Sequence, residues 1–179
     1  DLHVRSRRQR QMFIRDRLKD EGGNLFSDND ERMIFFTKGV IETVKKLNWS
    51  PDIIHLHGWF TSLFPLYMKT YFAEDPIFET SKIITSIYPK DFEGEISSDF
   101  ENKVAFDNVG EAERSPLKKS TYENLIALAV NFSDGVVLSG ESISESILSN
   151  IGTKKIPALT YEDSLKENAY VDFFNNKII

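Results

Sequence analysis

Between Pro51 and Trp59 the chain reads Pro-Asp-Ile-Ile-His-Leu-His-Gly-Trp, and no other stretch constrains the fold as much. Ile53 to His57 is an apolar run too short for a helix, with a proline before it and a glycine after it, so it reads as a buried strand. An apolar run followed by a helical pattern is the signature of a parallel strand feeding a crossover helix. In such folds ligands gather beyond the carboxyl ends of the strands. His55 and His57 lie two residues apart, so on a strand they share one face, and His57 falls at the tip.

The rest of the chain repeats this alternation. A polar loop from Lys19 leads to Ser27-Asp28-Asn29-Asp30, a candidate capping box, and a helix is expected to about Leu47 with Met33, Phe36, Val40, Val44 and Leu47 as its buried stripe. A second helix is expected from about Thr61 to Phe72, with Pro65 tolerated only in its first turn. Ser81 to Ile87 reads as a strand. Residues 88–114 read as a long polar loop or poorly ordered excursion. Ser120-Thr121-Tyr122-Glu123 is a second candidate capping box, opening a helix with Leu125, Leu128, Ala129 and Phe132 on one face. Gly135 to Ser139 is a third strand. Ser142 to Glu145 starts a helix expected to stop near Asn150 and Gly152. Thr160 to Asp163 starts a last helix carrying Leu165, Tyr170, Phe173 and Phe174. The expected fold is α/β, a Rossmann-like three-layer αβα sandwich with a mostly parallel sheet.

Charge divides the chain. Residues 1–17 hold six arginines and two acids, +4, whereas the remainder holds sixteen bases against twenty-six acids, −10. The first segment reads as extraneous and non-native, with a basic RNA-binding arm as the other reading; residues 18–179 form the domain proper. The overall charge of −6 argues against nucleic acid as the main partner. No apolar run is long enough to span a membrane. The absence of cysteine removes disulfides, thiolate metal sites and a cysteine nucleophile, and fits a cytoplasmic protein.

Three blocks resemble glycogen and starch synthases, retaining glycosyltransferases of the GT-B type. They are Asp28-Asn29-Asp30-Glu31-Arg32 with Phe35, then Pro51 to Trp59, then Phe132-Ser133-Asp134-Gly135-Val136-Val137 onward to Glu145. Their order and spacing agree with the family, most closely with its short bacterial members. The resemblance implies part of a GT-B N-terminal domain lacking its first strands. It also implies glucose transfer from ADP-glucose to an α-1,4-glucan, with no other cofactor. The family's Lys-x-Gly-Gly loop is not found, nor is its C-terminal domain. Gly58 stands where the family has an acid, Tyr88 where it has a sugar-contacting histidine, and Ala127 where it often has a lysine. These departures point to a chain inactive alone, one that takes its donor site from a partner subunit, or else to a non-catalytic glucan-binding or regulatory module.

The candidate substrate-binding residues are His57, Trp59 and Tyr88. His57 takes a sugar-contacting role by the resemblance, Trp59 could stack on a sugar ring or pack in the core, and Tyr88 could donate to a sugar hydroxyl. His55, Asn29, Arg32 and Asp134 are expected to support the structure around them. A metal is not expected: His55 and His57 could supply two ligands, but the only other histidine is His3. Asp91 and Glu93 could serve acid–base chemistry but read more simply as a solvated loop face.

Overall fold

The computed structural model describes residues 18–179. The arginine-rich segment, His3 and the readings placed on them lie outside the described residues. Helix α1 spans Asn29–Lys46, with Asp30 and Glu31 in its first turn and Lys45 and Lys46 in its last, charges that suit the helix dipole. Strand β1 is Ile53–His57. A single 3₁₀ turn, Trp59–Thr61, leads into α2, Leu63–Lys69, and Pro65 falls in the first turn of α2, where a missing N–H costs nothing. Strand β2 is Lys82–Ile87. Two short helices follow, α3 (Phe100–Ala105) and α4 (Glu111–Arg114), then α5 (Tyr122–Phe132) and β3 (Gly135–Leu138). The chain continues through α6 (Glu145–Lys154), β4 (Ala158–Leu159), α7 (Tyr161–Ser164) and α8 (Ala169–Phe173).

The strands form one sheet in the order β1-β2-β3-β4, every pair parallel. His57 pairs with Ser86, and Ile87 with Leu138, so three strands deliver their carboxyl ends to the same edge. One face, with Leu56, Ile83, Ile87 and Val136, packs under α1, α2, α5 and α6. The other face, with Ile84, Val137 and Leu159, is covered by Phe173 and in part by Phe174 and Ile178 from the C-terminal helical turns. This is the expected α/β sandwich, with a thin second helical layer.

Five sequence expectations need correction. The sheet has four strands, not three; β4 is two residues long, too short to leave a periodic signal. Residues 88–114 are not a disordered loop. Phe92, Ile96, Phe100 and Val104 are buried, the first two on an irregular segment and the last two on α3, and the acids between them masked these anchors. In α1 the buried stripe is Met33, Thr37 and Ile41, while Phe36 and Leu47 are exposed. Helix α6 runs through Gly152 and ends at Lys155, which takes the left-handed cap conformation itself. The last helix is broken into α7 and α8, and Leu165 is exposed.

The expected caps shift by a residue or change partner. Thr121, not Ser120, caps α5 by accepting from the Asn124 N–H. At α1, Asp28 occupies the cap position, but its carboxylate pairs with Arg32 at 2.9 Å and makes no capping bond.

Candidate functional site

The carboxyl ends of β1 and β2 carry a polar cluster. His57 is exposed at the tip of β1, and its Nδ1 lies 3.0 Å from the Tyr88 hydroxyl, just beyond β2. Tyr88 is 39% exposed. Beneath them, His55 Nε2 meets the Ser86 hydroxyl at 2.8 Å, and the two imidazole rings are 4.3 Å apart. The i, i+2 spacing does what the sequence implies: both rings stand on the sheet face covered by Tyr170 and Phe174, which lie against His55. Burial, with a smaller push from His57, lowers the His55 pKa to about 4, so His55 is a neutral hydrogen-bonding group near neutral pH.

Gly58 turns the chain away from the sheet with φ +73° and ψ 174°, a conformation open almost only to glycine. The turn carries Trp59 inward, to 5% exposure. Its indole packs edge-to-face with Phe60 and Phe92, and Nε1–H donates to Asp91 Oδ2 at 2.7 Å. Trp59 therefore offers no open ring face for a sugar to stack on; it braces the cavity wall and holds a carboxylate.

The loop after β2 is fixed from three sides. The buried Tyr122 hydroxyl donates to the Tyr88 carbonyl at 2.6 Å, and burial pushes its pKa up to about 12, so it remains protonated. Gly140 accommodates Pro89: a Cβ there would come within 2.7 Å of the proline ring. Lys19 donates to both the carbonyl and the carboxylate of Asp91, the latter at 2.9 Å. Burial alone would raise the Asp91 pKa, but the bonds from Lys19 and Trp59 outweigh it and hold the carboxyl below its ordinary value. His57, Gly58, Trp59, Tyr88, Pro89, Asp91 and Tyr122 enclose a cavity of about 390 Å³, within the range of small-ligand sites.

The remaining sequence candidates lie elsewhere. Asn29 is fully buried and donates to the Leu18 carbonyl at 2.8 Å, and Arg32 lies 5.0 Å over the Phe26 ring. Together they anchor the segment that carries Lys19 to the cavity. Asp134 sits at the other end of the sheet, accepting from the Ile83 N–H at 2.8 Å and pairing with Lys69. From Ile83 to Tyr88 is roughly 16 Å along an extended strand, so Asp134 orders the β2–β3 entrance and not the site. Ala127, like Asp134, lies outside the cavity lining. Lys19 and Tyr122 were not legible as site residues, since one is an isolated lysine in a polar loop and the other a tyrosine inside a capping motif. Asp91 was legible only as a member of an acidic loop. The burial of Phe92 beside it is what turns Asp91 toward Trp59.

A larger cavity of about 640 Å³ lies between Lys155–Leu159 and the C-terminal helices, at the amino end of β4. Its Lys166 and Asp163 pair with each other at 2.6 Å. No group of three metal-binding side chains occurs among the described residues.

An open parallel sheet with imidazole, phenol and carboxylate gathered over its strand ends is an α/β domain with a polar cluster at the place where such folds bind ligands. The profile of the starch synthase catalytic domain matches residues 3–159. The chain is 30% identical over 135 residues to a glycogen synthase of Clostridium perfringens, covering 75% of this chain and 27% of that protein. It is 27% identical over 142 residues to a glycogen synthase of Aeromonas salmonicida, covering 79% of this chain and 29% of the relative. Over a shorter stretch of 67 residues it is 43% identical to a glycogen synthase of Chlorobium limicola, covering 37% of this chain and 14% of that protein. No solved structure matches significantly. The chain belongs to the glycogen/starch synthase family, and it spans little more than a quarter of the length of the relatives it matches most extensively.

Proposed function

We propose that this chain forms the glucan-facing part of a glucosyltransferase that moves glucose from ADP-glucose to an α-1,4-glucan, and that by itself it binds glucan without turnover. The observation that carries this reading is the His57–Tyr88 pair at the mouth of the strand-end cavity. An imidazole and a phenol are each able to donate and accept, which suits sugar hydroxyls. Tyr88 stands where the family has a histidine, and the pairing with His57 keeps a hydrogen-bonding group at that point. Among the described residues, no glycine-rich phosphate loop faces the cavity, and Lys19, a cation beside it, is bound to Asp91. The donor diphosphate would then be held by residues beyond those described, in another part of the protein or in a partner subunit. No metal or further cofactor enters this reading.

The alternative, a non-catalytic glucan-binding or regulatory module, is favoured by one observation. Gly58 places its backbone where a side chain is strained, so the family's acidic residue cannot be accommodated there without cost. Two experiments on the purified 179-residue chain test both readings. Retardation in a glycogen-containing gel with no transfer of labelled glucose from ADP-glucose is the expected result. Migration unaffected by glycogen removes the glucan-binding reading altogether. Turnover by the chain alone would show that it holds a complete donor site; it would discard the non-catalytic alternative and overturn the claim that the chain binds glucan without turnover.

A further inference from the structure

Asp91 supplies the only carboxylate in the wall of the strand-end cavity among its described lining residues. Its side chain is 49% exposed, yet it is held from two directions. The buried indole of Trp59 donates to Oδ2 at 2.7 Å, and Lys19 donates to Oδ1 at 2.9 Å. A carboxylate has about four lone-pair sites, so two remain open, on an oxygen pair whose orientation is already fixed. The half-exposed ion pair with Lys19 does little for stability by itself. A buried tryptophan N–H, by contrast, fixes the carboxylate plane. The group is acceptor-only, and the donors placed around it are already used, so a ligand here must bring its own donors. Adjacent hydroxyls of a sugar ring do this without bringing charge.

We propose that Asp91 is a sugar-binding residue of this cavity, accepting hydrogen bonds from a pair of neighbouring hydroxyls on one glucosyl unit. Tyr88 and His57, which line the same cavity, bond a third polar group of the same unit. Trp59 and Lys19 act through Asp91 as positioning residues. This deepens the glucan-binding reading above and rests on it.

The test is calorimetric titration of maltoheptaose into the 179-residue chain, for wild type, Asp91→Asn and Tyr88→Phe. The amide introduced by Asp91→Asn retains an oxygen to accept from Trp59, so tryptophan fluorescence and the melting temperature should match wild type. The loss of one charge-assisted bond weakens affinity roughly tenfold, and that is the expected result for Asp91→Asn. Should this variant fail to fold, Asp91→Glu keeps the charge but displaces the oxygens, and the same weakening is expected. If wild type binds and Tyr88→Phe is weakened while the Asp91 variants bind as wild type, the Asp91 role is overturned and the glucan reading survives. If wild type shows no binding, both are overturned.

Discussion

At the scale of single residues, the strand tip depends on one glycine and two rings. Gly58→Ala should destabilise the fold by about 1–3 kcal/mol, the cost of forcing a side chain into this backbone region, as read from urea unfolding. Nothing lies within 4 Å of a Cβ placed there, so a near-neutral result would mean that strain is not what makes glycine necessary. His55 gives a pH prediction. Its folded pKa is near 4 against 6.5 for the free group, so the unfolded chain binds the extra proton between these values. The His55 contribution is complete above pH 6.5 and is lost as pH falls toward 4. Allowing for partial exposure, it amounts to about 1–2 kcal/mol. Urea midpoints measured from about pH 7 to about pH 4 should fall less for His55→Gln than for wild type. The sequence made His57 and Tyr88 legible because a motif and a strand end point at them. Core packing is the plainer reading of Trp59, and its burial bears that out; its partners were not legible, because they depend on the Gly58 backbone and on Phe92, which arrives from much further along the chain.

At the scale of elements, the segment between β2 and α5 is the part that tertiary contacts decide. It is tied to α1 by Lys103, which pairs with the fully buried Asp30 at 2.7 Å, and by Lys38, which pairs with Asp107 at 2.6 Å. The buried Tyr67 hydroxyl also donates to Asp107, and burial, reinforced by this bond, raises its pKa. Asp107→Ala leaves that hydroxyl unsatisfied and should cost about 1–3 kcal/mol. Cleavage within residues 88–114 under limited proteolysis should then be faster than in wild type; unchanged cleavage would mean the clamp does not hold the segment. The second face of the sheet depends on α8. Phe173→Ala should cost about 3–5 kcal/mol, measured by thermal or urea unfolding, because Phe173 covers Ile84, Val137 and Leu159. Helices and strands with strong periodicity, such as α5 and β2, were legible to within a residue or two. The excursion was not, because its charged residues outweigh its buried ones in composition while the buried ones alone determine its structure.

At the scale of the whole molecule, the parallel sheet and its two unequal helical layers put one cavity at the strand ends and leave its chemistry to side chains from β1, the β2 loop, α5 and the Lys19 segment. Parallel order was legible because strands and helices alternate along the chain. The meeting of Lys19 with Asp91 was not, since it joins two loops 72 residues apart. No helix among the described residues is long and apolar enough to cross a membrane. The strand-end cavity is the proposed place where this protein meets glucan. Amide chemical shifts of the ¹⁵N-labelled chain during titration with maltoheptaose test it most directly. Saturable shifts concentrated at residues 57–59, 88, 91 and 122 are the predicted result. Shifts confined to the exposed aromatic residues Phe35 on α1 and Trp49 just beyond it, or no shifts at all, would contradict it.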